Sequence, residues 1–158
     1  KLRITDTYGG DDGTLISWSI TFGSNPAGFF SIHESDLPIF VINTNGQSIP
    51  SDPKITADMG IIWNGDGNRN HVTDPFNHYN NKIGIEIRGA SSSTFPKKSF
   101  TIELRDAAGN DIDSALTGFP AEEDWVLSAQ YADKTLMRGM LSFSLIRKMG
   151  WYAPRSRP

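Results

Sequence analysis

The chain has no cysteine, which excludes a disulfide framework, a thiolate zinc site and a cysteine nucleophile but leaves its compartment open. It has no apolar run of bilayer length, so no segment reads as a membrane-spanning helix. It lacks a basic excess as well: 15 Lys and Arg face 18 Asp and Glu, a net charge of -3 at pH 7. Counterion release from a phosphate backbone needs the opposite balance, so nucleic acid is not an expected partner. No serine is flanked as G-x-S-x-G and no histidines are spaced as H-E-x-x-H, so a hydrolase elbow and a zinc helix are both missing. Asn64, Gly65, Asp66, Gly67 and Asn68 open like a calcium loop, but Arg69 stands where the sharp turn needs glycine and Pro75 where a bidentate glutamate belongs. His33, His71 and His78 share no ligand spacing, and the latter two are expected in an exposed loop. No metal site is expected. The opening residues hold no basic n-region and no apolar h-region, and the chain reads as an excised piece.

What the chain has in quantity is turn chemistry. Its 15 Gly and 9 Pro fall between short runs rich in Ile, Val and Phe, which predicts a fold dominated by sheet. In the first segment Leu15, Ser17, Ser19 and Thr21 alternate with Ile16, Trp18, Ile20 and Phe22, a strand with one apolar face. Residues 2–6 supply a strand to pair with it across the Gly9, Gly10, Asp11, Asp12, Gly13 turn. This hairpin resembles the last two strands of a P domain, the β-sandwich that accompanies subtilisin-type proprotein convertases and many secreted bacterial proteins. The expected organisation is thus a truncated P-like piece at 1–22, a linker at 23–35 rich in Gly, Ser, Asn and Pro, and a second domain over 36–158.

In that second domain Ile39, Phe40, Val41 and Ile42 form a continuous apolar run, expected to be a strand buried on both faces. Residues 55–62 form another strand, and 64–81 a polar stretch long enough to be functional or mobile. Ile83, Ile85 and Ile87 keep strict period two, as do Phe100, Ile102 and Leu104, so these strands are expected to pair across a loop of small, hydroxyl-bearing residues. Gly109 and Asn110 mark a turn, and Trp125, Val126 and Leu127 one more strand. The spacing predicts a helix over 134–149, capped by Asp133, stopped by Gly150, with Arg147 and Lys148 at the negative end of its dipole. The fold class is therefore α+β: a mainly antiparallel sheet with one long helix, plus the N-terminal β-hairpin.

Five blocks stand in order through this region. They are 37–46 (Leu37, Pro38 to Asn45, Gly46), 84–92 (Gly84, Ile85, Glu86, Ile87, Arg88, Gly89 onward), 95–100 (Phe95, Pro96, Lys97, Lys98, Ser99, Phe100), 124–127 with 133–138, and 147–150. Together they are similar to the CotH kinase family. The resemblance implies the N-terminal lobe of an atypical, secreted protein kinase related to spore-coat kinases. It implies ATP and magnesium as cofactors of the parent, a protein substrate and the rest of the kinase domain as partners beside the P-like domain, and a secreted or cell-surface, bacterial setting. The catalytic and metal-binding carboxylates are expected beyond Pro158, so this piece alone is not expected to transfer phosphoryl groups.

The residues themselves fit such a lobe. A kinase holds ATP phosphates under a β-hairpin loop of small residues, with a strand lysine as a point charge. Here Gly89, Ser91 and Ser92 offer backbone and hydroxyl donors. Lys98 shares strand parity with Phe100, Ile102 and Leu104 and is preferred over Lys97 as the phosphate lysine. The competing reading makes Lys97 and Lys98 a solvated strand start. Arg88 is either a phosphate contact or a cross-strand partner of Glu103. Two departures stand out. The loop is not G-x-G-x-x-G, and the helix carries no Glu to brace a lysine, Ser144 standing where an acid is possible in the family; Glu86 or Glu103 is the expected substitute. Arg138, opposed to the dipole preference, is expected to pair with Asp124 or Glu123. The alternative function is a non-catalytic surface, adhesion or coat-assembly module, for which the Leu136, Met140, Met149 stripe, expected to be partly exposed, would be an interaction surface.

Overall fold

The chain divides into two units, Lys1–Ser31 and Ile32–Pro158. The computed structural model describes residues 33–157, so the expected P-like hairpin and most of the linker lie outside the described residues. The described residues form a five-stranded antiparallel sheet, ordered β2 (Ile39–Asn43), β3 (Ile55–Ile62), β5 (Tyr79–Arg88), β6 (Ser99–Arg105), β9 (Asp124–Leu127). Two short pairs flank it, β1 (Glu34–Ser35) with β4 (Asn70–His71) and β7 (Ser114–Ala115) with β8 (Ala121–Glu122), and one α-helix follows, α1 (Arg138–Lys148). This is the expected mostly antiparallel sheet with one helix.

The sheet forms because its apolar residues recur at period two and the register lines them up. Ile83 stands opposite Ala57 on one side and Leu104 on the other, Ile85 opposite Ile55 and Ile102, and Ile61 opposite Tyr79. Ala57, Met59, Ile61, Ile83, Ile85, Ile102 and Leu104 therefore share one face, buried under Leu116. Burial of each large aliphatic side chain in this set contributes roughly 1.5–3 kcal/mol relative to exposure. The Tyr79 hydroxyl closes one end, donating to the Lys82 carbonyl at 2.7 Å.

Several expectations need correction. The Ile39 to Ile42 run is an edge strand rather than a doubly buried one: β2 pairs only with β3, and Val41 is exposed. The polar 64–81 stretch is organised by Asn70, fully buried, whose amide donates to the Ser35 and Leu37 carbonyls while its oxygen accepts from Asn64 N at 2.7 Å. His78 is not an exposed loop histidine. Its Nε2 accepts from Thr117 N at 2.6 Å, its ring meets Trp63 edge-on at 4.8 Å, and burial holds its pKa below the usual value.

The helix starts four residues later than its periodicity predicts. Asp133 takes Thr135 N and Oγ1 on one carboxylate oxygen and Arg138 N at 2.8 Å on the other. That local competition for the backbone holds 133–137 in a turn, with Leu136 at φ 58, before the helix begins. Its end is as expected, with Gly150 N bonding Arg147 O and Trp151 N bonding Ile146 O. None of its residues is buried: Leu141 and Leu145, with Met137 and Met149 just outside its two ends, stand four apart and are all more than half exposed.

Candidate functional site

The β5–β6 hairpin ends with Arg88 opposite Ser99, and residues 89–98 join them. The joint is a folded turn. Gly89 sits at φ 115, and a Cβ there would come within 2.0 Å of Ser92 Oγ, so the Ser92 hydroxyl occupies the space that glycine leaves. A 3-10 turn, Ser91–Thr94, follows, with Ser93 N bonding Ala90 O and Phe95 N bonding Ser92 O. The Ser93 hydroxyl donates to Ala90 O and the Thr94 hydroxyl to Ser91 O, which consumes both inside the loop.

The two lysines part company here. The Lys98 ammonium, half-buried, turns back and donates to the Ser93 carbonyl. Lys97, in the bend before β6, lines a cavity of about 210 Å³ with Ser92, Phe95 and Ser99 on one side and residues 129–133 on the other. No hydrogen bond or ion pair ties the Lys97 ammonium to another described residue. The far wall is fixed by Ala129 N bonding Ser99 Oγ at 3.0 Å, and by the Phe95 and Tyr131 rings, 5.0 Å apart. Asp133 completes that wall, its carboxyl held below the usual range chiefly by the Thr135 hydroxyl.

The other expected site residues are distributed as follows. Arg88, exposed, reaches Thr101 Oγ1 at 3.5 Å and does not pair with Glu103. Register accounts for this: Arg88 stands opposite Ser99, while Glu103 lies opposite Gly84, four residues earlier in β5. Glu86, opposite Thr101, shares this sheet face with Arg88. Arg138 pairs with neither Asp124 nor Glu123; its Nε lies 3.5 Å from Asp133 Oδ1, and its side chain is otherwise in solvent. Of the expected loop residues only Ser92 and Lys97 line the cavity; Gly89 packs against Ser92, the Ser91 carbonyl accepts from Thr94, and Lys98 holds the Ser93 carbonyl.

Glu103 does brace a lysine, but it is Lys54, which no motif or periodicity singles out. Lys54 Nζ lies 2.9 Å from Glu103 Oε1 and 3.5 Å from Asp124, while Arg105 Nη2 meets Glu103 Oε2 at 2.5 Å. Gly84 makes room for this, since a Cβ there would stand 2.8 Å from the Arg105 guanidinium carbon. The Glu103 carboxyl is held low, first by Lys54, and Lys54 is held correspondingly high by Glu103. These three side chains are about one-fifth exposed and paired with one another, with Asp124, Thr56 and Asp111 as further partners, so they brace the sheet.

A volume of about 210 Å³ lies below the roughly 300–1,000 Å³ of a pocket for a whole drug-sized ligand. Its lining is mixed: Lys97, Ser92 and Ser99, the Phe95 and Tyr131 rings, and the Asp133 carboxylate. Magnesium fits poorly. Among the described residues no group of three His, Asp or Glu could hold a metal ion. The carboxylate lining the cavity, Asp133, already accepts from Thr135 and Arg138.

Residues 85–158 match the family model described as CotH kinase protein. The match begins within β5 and takes in the 89–98 turn, β6, the cavity wall at 129–133 and α1, but not the 37–46 block. This supports a CotH-like, kinase-like chain over that segment. No curated protein and no solved structure matches the chain. Among the described residues no helix is long and apolar enough to cross a membrane.

Proposed function

We propose that this chain contributes the nucleotide-phosphate-contacting part of a CotH-like secreted protein kinase, whose whole domain transfers phosphoryl groups from ATP to protein Ser or Thr. The observation that carries the reading is the uncommitted Lys97 ammonium on a small cavity at the open end of the β5–β6 hairpin, inside the matched segment. A point charge beside hydroxyl donors is what the oxygens of a terminal phosphate require. In-line transfer also needs metal-bound phosphates, and the part proposed for this chain is to bind and orient the phosphate. The test is calorimetry of ATP with magnesium on the full-length protein. Wild type should bind, and Lys97→Ala should weaken binding at least tenfold; a full-length protein that binds no nucleotide sinks the reading.

A second reading, a non-catalytic coat-assembly or adhesion module, draws on the outer face of α1, where Met137, Leu141, Leu145 and Met149 stand exposed. It is the reading to adopt if the calorimetry shows no nucleotide binding.

A further inference from the structure

We propose that Lys98 is a positioning residue, a clasp that fixes the 89–95 turn, and that Lys97 is the cation that meets the ligand; the proposal rests on the nucleotide reading above. Both lysines precede β6, Lys97 in a bend and Lys98 next to the strand, and they end in different places: Lys98 on the Ser93 carbonyl, Lys97 on the cavity wall. Lys98 is claimed. Its ammonium holds the Ser93 carbonyl, at the centre of a turn in which four other donors are already spent inside the loop: Ser93 N and Oγ on Ala90 O, Thr94 Oγ1 on Ser91 O, Phe95 N on Ser92 O. Ser92 is held from the other side by its packing over Gly89. The turn therefore presents Ser92 to the cavity in one conformation, with Lys98 tying it to the start of β6. Lys97 enters the same cavity without a protein partner among the described residues. A pre-set turn with one free charge binds an oxyanion without first having to be ordered.

The test sets Lys98→Ala, Lys98→Arg and Lys97→Ala beside wild type in the full-length protein, with two readouts: ATP affinity by calorimetry and hydrogen exchange of the Ser93 and Phe95 amides. The expected result for Lys98→Ala is exchange at least tenfold faster together with weakened ATP binding. Arginine retains a donor long enough for Ser93 O, so Lys98→Arg should restore both. Lys97→Ala should lose ATP affinity with exchange unchanged. If Lys98→Ala abolishes ATP binding while both amides exchange as in wild type, Lys98 is the ligand contact and the proposal is overturned. It is also overturned if Lys98→Ala changes neither readout. If Lys98→Ala speeds exchange but neither variant alters ATP affinity, the clasp is supported and the nucleotide reading alone fails.

Discussion

Glu103→Gln removes one negative charge from the centre of the Lys54, Glu103, Arg105 cluster while keeping its shape. Glu103 accepts from Lys54 at 2.9 Å and from Arg105 Nε at 3.0 Å and Nη2 at 2.5 Å. Charge-assisted bonds between buried groups contribute about 1.5–3 kcal/mol each, and exposed ion pairs about 0–1. With the Glu103 side chain 17% exposed, the cluster lies between these limits. A loss of about 1–2 kcal/mol follows, and for a unit of this size it lowers Tm by roughly 3–10 °C. The pH dependence gives a sharper check. Lys54 and Arg105 hold the Glu103 carboxyl below its ordinary value of 4.5, so its contribution is complete above about pH 4.5 and is lost as pH falls through its folded-state value. Thermal unfolding of wild type and variant followed from pH 7 to pH 3 should show a gap at neutrality that closes in acid. A gap under about 1 °C at pH 7, or one that persists undiminished at pH 3, refutes the reasoning.

Three further outcomes are expected. Gly89→Ala forces a side chain onto φ 115 and against Ser92 Oγ, so urea unfolding should show a loss of about 1–3 kcal/mol, partly recovered by Ser92→Ala; an unchanged midpoint would show that the turn tolerates a Cβ. His78 is held neutral by burial, with its pKa below 6.5, so the unfolded chain takes up a proton first and stability falls as pH drops below about 6.5; an NMR titration placing His78 at or above 6.5 contradicts this. Leu141→Ser with Leu145→Ser should change stability by no more than about 0.5 kcal/mol each, because both side chains are more than half exposed; a loss above about 2 kcal/mol means that the outer face of α1 is covered in solution.

The sheet was legible in the sequence because strand parity is a local property. Ile83, Ile85 and Ile87 against Phe100, Ile102 and Leu104 announce two half-buried strands, and the structure pairs them in that register. The end of α1 was legible for the same reason, Gly150 being a local stop. Its start was not: Met137 and Leu136 continue the apolar stripe, but the Asp133 carboxylate draws Thr135 and Arg138 into a turn that periodicity does not weigh. The pairing of Arg88 with Glu103, one of its two expected roles, fails because cross-strand pairing depends on a register that places Gly84, not Arg88, beside Glu103.

By itself, then, the sequence determined the fold class, the hairpin that carries the candidate site and the kinds of side chain gathered there, since period, turn residues and charge are all written locally. Tertiary structure decided which lysine faces the cavity. Lys97 and Lys98 are chemically equivalent neighbours, and what separates them is the Ser93 carbonyl behind one and the 129–133 wall in front of the other. It also decided that Glu103 belongs to Lys54, 49 residues away, because that pairing exists only once β3, β5, β6 and β9 lie side by side.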